Sequence, residues 1–138
     1  LPQVKLVSFT VDPDNDTALA VLVGLNKSVD LNGAESAINS LTKENPEQPF
    51  LYFTLGNIYA AQLRWPEAQQ AFFDAHRIDS SNPDYALNLA VSLDRMGQQQ
   101  PALDYYNTAL RLAEHHPASF DPAAIMARIQ SLSATAIP

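Results

Sequence analysis

An all-α solenoid of about three helix-turn-helix repeats, closed by a C-terminal capping helix, is the fold class predicted for this 138-residue chain, and three observations predict it. First, residues 83–116 repeat residues 49–82. Set at an offset of 34, Tyr52 meets Ala86, Leu55 meets Leu89, Gly56 meets Ala90, Tyr59 meets Leu93, Ala68 meets Ala102, Phe72 meets Tyr106 and Ala75 meets Ala109. Second, each period holds two apolar stripes at helical spacing, which is the pattern of a stacked helix-turn-helix unit. Third, proline and glycine fall between the stripes, at Pro66, Pro83 and Gly97, where helices start and stop.

The segment 1–14 is expected to be extended or a linker. LPQVKLVSFTV is rich in β-branched and aromatic residues and has no helical stripe, and Asp12-Pro13-Asp14-Asn15 supplies turn chemistry with a possible N-cap. Leu1–Val11 then either lies along the chain's own helices or offers an edge to another chain. Three repeats follow, at 15–48, 49–82 and 83–116. In the first the ruler fits more weakly. Ala18, Val21 and Leu25 fall level with Tyr52, Leu55 and Tyr59, but Leu22 stands where Gly56 and Ala90 stand and Leu41 replaces Ala75. Terminal repeats are atypical because one face has no neighbour. Helices are expected at about 16–27 and 31–44.

The second repeat is the clearest. Leu51, Leu55, Ile58 and Tyr59 stripe a helix of about 50–62, Arg64-Trp65-Pro66 turns the chain, and Ala68, Ala71, Phe72 and Ala75 mark the returning helix. Alanines let backbones approach, while Tyr59, Trp65 and Phe72 fill the space beside them. In the third repeat, helices of about 84–96 and 100–113 flank Gly97, placed for a left-handed helix end. Residues 117–138 hold the cap. Asp121 serves as N-cap, Pro122 opens the helix, Phe120 and Ile125 form a possible staple, and Ile125, Met126, Ile129 and Leu132 give the apolar stripe.

Composition excludes several functions. The net charge of -7 and pI near 4.6 lack the basic footprint of nucleic-acid binding and point to neutral or basic polypeptide partners. Without cysteine there is no disulfide, thiolate metal site or cysteine nucleophile. No apolar run reaches a bilayer span, so direct membrane insertion is not expected of this stretch. A start at Leu1 reads as a fragment or processed form, and oligomerisation stays open. His76 stands alone, and His115 and His116 point about 100° apart on a helix and cannot share an ion. Asp12, Asp14 and Asp16 lack the glycine and distal glutamate of a calcium loop. No catalytic motif is present, so neither an enzyme nor a cofactor or metal is expected.

The two rows from Pro49 to His116 resemble the tetratricopeptide repeat. That resemblance implies a right-handed superhelix with a concave peptide groove along the first helix of each repeat. Carried over by ruler mark, the groove consists of Leu19, Val23, Phe50, Phe53, Thr54, Asn57, Leu87, Asn88 and Val91, with Arg95 near its far end. Phe50 and Phe53 are expected to face solvent there, as an aromatic binding hint. Asn57 and Asn88 match the amides with which some chaperone-binding members hold a peptide's terminal carboxylate. The basic residues of that clamp are missing, so a carboxylate clamp is not expected.

More narrowly, RWPEAQQAFFDA, NPDYALNLAVSLDRMGQQQPALDYYNTAL and FDPAAIMARIQSL resemble the repeat domains of proteins encoded with bacterial type IV pilus and type II secretion machinery. This implies a scaffold at the cell envelope, the periplasmic part of a membrane-tethered protein. A generic cytoplasmic adaptor and a self-assembling structural element that stacks through its ends are the competing readings.

Overall fold

The computed structural model describes residues 31–135. The expected segment 1–14 and the helix at 16–27 lie outside the described residues. Six α-helices fill what is described: α1 (Leu31–Glu44), α2 (Pro49–Ala61), α3 (Trp65–Ile78), α4 (Pro83–Arg95), α5 (Gln99–Ala113) and α6 (Pro122–Thr135). Each packs against its neighbour in sequence, the nearest-neighbour order that defines a solenoid.

Local chemistry explains where the helices begin. Proline stands in the first turn of α2, α3 and α4, where a missing N–H costs nothing. The Asn82 side chain accepts the Asp84 N–H at 2.9 Å to cap α4, and Asp121 accepts the Ala123 N–H at 3.0 Å to cap α6 as expected. His76 and Arg77 sit in the last turn of α3 and Arg95 in that of α4, where the helix dipole favours positive charge.

The ends of α2 and α4 close identically. Arg64 N–H reaches Tyr59 O at 2.9 Å, and Gln98 N–H reaches Leu93 O at 3.0 Å, a bond spanning five residues in each case. The pivot needs a left-handed residue, supplied by Gly97 at φ 75° and, 34 residues earlier, by Leu63 at φ 59°. Leucine pays about 1 to 2 kcal/mol for that conformation. The repeat geometry therefore overrides the local preference, leaving the Leu63 side chain 73% exposed.

The core runs as a line through the repeats. It is built from Ala34 and Ile38 of α1, Phe50, Leu51, Phe53, Leu55 and Ile58 of α2, Ala68, Ala71, Phe72 and Ala75 of α3, Tyr85, Leu89, Ala90 and Leu93 of α4, Ala102 and Tyr106 of α5, and Leu132 of α6. A helix buried on almost every side is an interior one, and α2 is that helix. Ala68 and Ala102, at one ruler mark, are both fully buried. Phe72 and Tyr106 are core as expected, whereas Tyr59, Trp65 and Tyr105 are only half-buried and pack on its margin.

Around that line, polar pins hold the edges. The Arg64 guanidinium donates to Glu35 of α1 at 2.8 Å and to Glu67 of α3 at 3.1 Å, and lies 4.6 Å from the Tyr59 ring centroid. In front of α6, Ser119 donates its N–H and hydroxyl to the Asp84 carboxylate, both at 2.8 Å.

Gly56 shows why the ruler puts a small residue at its mark. A Cβ there would stand 2.5 Å from two atoms of the Phe72 ring and 2.9 Å from a third. Alanine should gain about 1 kcal/mol in helix propensity but suffer the roughly 1 to 3 kcal/mol of overpacking. Gly56→Ala is therefore expected to lower the urea midpoint, and adding Phe72→Leu to recover part of the loss. A midpoint raised by Gly56→Ala alone would show that the ring yields freely.

Candidate functional site

The described residues expected to line the groove lie on α2 and α4, between which Asn88 Nδ2 donates to Asn57 Oδ1 at 3.2 Å. Four of the expected residues lie on α2 and are deeply placed: Phe50, Phe53, Thr54 and Asn57 are 0%, 1%, 0% and 4% exposed. Leu87, Asn88 and Val91 on α4 are half-buried, and Arg95 is exposed with its guanidinium 5.5 Å from the Trp65 ring centroid. Leu19 and Val23 lie outside the described residues.

One expectation is corrected. Phe50 and Phe53 do not form an aromatic pair on a wet face. Phe53 sits between Phe72, at 5.8 Å between ring centroids, and Tyr85, at 4.9 Å, while Phe50 lies 6.3 Å from Phe53. Helical spacing tells which side of α2 they share. It does not tell how much packs over that side, and here the packing is complete.

Two residues of this region escaped the sequence reading. Tyr85 is buried beside Phe53. Its signal was position, since it stands one ruler step after Leu51. Ser92 is fully buried and donates its hydroxyl to Leu89 O at 2.9 Å and Asn88 O at 3.1 Å, a back-bond that hides the hydroxyl within its own helix. A polar residue four positions after Asn88 on a buried stripe was the available clue. Thr54, Asn57, Asn88 and Ser92 thus form a polar track through an apolar setting.

The histidines are placed for structure. His76 turns its ring edge-on to Tyr105, 5.7 Å away at 89°, and its buried Nδ1 has no partner among the described residues. Burial pushes its pKa below the ordinary 6.5, with Asp79 opposing. A proton therefore binds the unfolded chain more readily than the folded one, so stability should fall as pH drops below about 6.5 towards the lower folded value. His76→Phe should flatten that part of a pH-dependent unfolding series. An unchanged slope would assign it to other groups. His115 and His116 are exposed.

No family model matches the chain. A curated relative, human F-BAR domain only protein 2, is 33% identical over 75 residues, taking in 52% of this chain and 9% of that protein. The chain thus spans less than a tenth of that relative's length. Solved structures align far more completely. The Yersinia enterocolitica type III secretion translocator chaperone SycD aligns at a TM-score of 0.77 and 14% identity over 91% of this chain and 88% of its own. PcrH in complex with the chaperone-binding region of PopD gives 0.77 and 16%, over 91% and 96%. The Sgt2 TPR domain from Aspergillus fumigatus gives 0.72 and 12%, over 90% and 80%. The fold is a tetratricopeptide-repeat solenoid. At such identities the likeness speaks for the fold alone.

Proposed function

We propose that the chain is a non-catalytic protein-binding scaffold that holds a polypeptide segment in the concave groove between α2 and α4. The observation that carries this reading is the Asn57–Asn88 amide pair across α2 and α4, with Leu87 and Val91 half-buried near Asn88 on α4. Side-chain amides carry both donors and acceptors, which suits a peptide main chain, and the apolar flanks suit its side chains. The complex of PcrH with a region of PopD supports the same use for this architecture. The partner is a neutral or basic polypeptide, given the net charge of -7. The setting we infer is assembly of secretion or type IV pilus machinery at the bacterial cell envelope. It rests on the runs from Arg64 onward that resemble such proteins, with a cytoplasmic adaptor as the competitor.

The test starts from peptides selected out of a random twelve-residue library on the folded protein. Asn88→Ala and Leu87→Asp should each weaken the best of them at least tenfold, with little dependence on salt. If both variants bind like the parent, the groove is not the site.

A specific observation favours one further reading. Apart from Arg128, which pairs with Asp94, the exposed residues of α6, among them Ala123, Ala127, Gln130 and Ala134 with the 53%-exposed Met126, carry no charge, whereas a capping helix usually turns a polar face outward. Self-assembly through this end predicts a mass that rises with concentration and falls back in Met126→Lys. A mass constant over the range removes it.

A further inference from the structure

We propose that the cap belongs to the binding site: Ser119 and Arg128 are positioning residues that hold the open stripe of α4 at its two ends, so that docking of α6 and capture of a polypeptide strengthen each other. This rests on the groove being the binding site and adds what sets that groove.

The first observation is the exposure pattern of α4. Asp84, Leu87, Asn88, Val91, Asp94 and Arg95 lie at i, i+3, i+4, i+7, i+10 and i+11, so they share one side of the helix. All six are half-buried or exposed, while the rest of α4 is buried. The helix thus has a single open stripe, and the expected groove residues Leu87, Asn88 and Val91 stand in its middle. A carboxylate brackets them on each side, Asp84 in the first turn and Asp94 in the last, about 15 Å apart along the axis.

A second, independent observation is what those two carboxylates hold. Asp84 accepts the N–H and the hydroxyl of Ser119, both at 2.8 Å. Asp94 accepts Arg128 Nε at 2.7 Å and Nη2 at 2.6 Å, with the Tyr106 hydroxyl at 2.7 Å. Ser119 precedes α6 and Arg128 lies within it, while the backbone of α6 packs on α5. The chain that follows α5 therefore returns to grip α4 at both ends. Helix formation does not ask for Asp94, because the dipole disfavours negative charge in a last turn. Its place on the open stripe is accounted for by the grip.

The grip matters because α6 is loosely seated. Among its described side chains Leu132 alone is buried, with Ile125 and Ile129 half-buried. An element with so few buried contacts opens more readily than the core. With the cap docked, both ends of the stripe are fixed, and Leu87, Asn88 and Val91 are presented in one arrangement. With it released, α4 is held from its buried side only. A polypeptide laid along the stripe loses less in ordering when it meets an arrangement already fixed. Coupling between two equilibria is reciprocal, so the bound polypeptide holds the cap down in return.

The probes are the twelve-residue peptides selected on the folded protein, restricted to those that Leu87→Asp weakens tenfold. Arg128→Ala should weaken them at least fivefold, and Arg128→Lys should recover part of the loss, since lysine keeps the charge without the fork. Binding to Arg128→Ala equal to the parent overturns the proposal and leaves the groove reading standing. Selected peptides that all ignore Leu87→Asp remove the groove reading, and this inference with it. Hydrogen exchange tests the same link in the parent itself. Saturating peptide should slow the amides of residues 122–135 at least fivefold, and by far less in Arg128→Ala. A cap that only stabilises the fold predicts exchange of α6 indifferent to the peptide, which overturns the coupling. Faster exchange overturns it too, because the peptide then displaces the cap.

Discussion

Replacing Phe72 by alanine should cost about 3 to 5 kcal/mol, the range for truncating a fully buried phenylalanine. A domain of this size has roughly 5 to 15 kcal/mol in total, so the loss takes about a fifth or more. The ring is 2% exposed and couples three helices. It fills the space left by Gly56 on α2 and lies 5.8 Å from Phe53, which meets Tyr85 of α4 at 4.9 Å. Its loss would leave a void between α2 and α3 that Gly56 on one side and the small Ala68, Ala71 and Ala75 on the other cannot close. Solenoid stability is a sum over neighbouring interfaces, so weakening one also weakens the link between what lies on either side. Unfolding followed by circular dichroism and by the single Trp65, at the start of α3, should no longer coincide in Phe72→Ala, as two-state behaviour requires. Phe72→Leu should cost much less, about 1 kcal/mol. A Phe72→Ala loss below about 1 kcal/mol would mean the ring line is not the core.

How much of this was legible in the sequence depends on whether a feature repeats. Ala68 and Ala102, Ala75 and Ala109, Phe72 and Tyr106 and the turn at Gly97 recur because each repeat has to solve the same packing problem, so the ruler places helices α2 to α5 to within a residue or two. Depth does not repeat in that way. Phe50 and Phe53 looked like groove side chains because spacing gives direction around a helix, while their burial depends on what lies above α2. Leu63 was unreadable for another reason. Its left-handed backbone is imposed by the bond from Arg64 to Tyr59, and nothing in leucine itself signals it. The contacts that fasten α6 were the least legible. Asp94 with Arg128 and Asp84 with Ser119 join a repeat to a cap that follows no ruler, and charges spaced so far apart carry no pairing signal. In the candidate site, the Asn57–Asn88 contact joins two positions that the ruler marks, while Tyr85 and Ser92 emerged only with the packing.

Asp94→Ala should cost about 2 to 3 kcal/mol and loosen α6 before any other helix. The Asp94 carboxylate accepts from Arg128 Nε at 2.7 Å and Nη2 at 2.6 Å, and from the Tyr106 hydroxyl at 2.7 Å. Its side chain is 11% exposed, against 48% for Arg128, so the two ends of the pair are not equal. Removing Arg128 leaves a carboxylate that Tyr106 still serves and water can reach, and an exposed partner is worth little once solvent screens it. Removing Asp94 leaves the hydroxyl of a buried Tyr106 with nothing to donate to, on top of two lost charged hydrogen bonds, each worth about 1.5 to 3 kcal/mol at most. Arg128→Ala should therefore cost clearly less than Asp94→Ala. Arg128 holds the Asp94 carboxyl below its ordinary 3.8, with burial opposing and Tyr106 assisting. A folded value lower than the unfolded one makes the contribution complete above about pH 4 and lost as pH falls through the folded value. Parent and Asp94→Ala should thus differ fully at neutral pH and converge in acid. Hydrogen exchange adds the location. Because α6 buries only Leu132 fully, with Ile125 and Ile129 in part, its amides should exchange faster in both variants while those of α2 keep their protection. Equal losses in the two variants, or exchange rising evenly across all six helices, would show that this carboxylate does not fasten the cap.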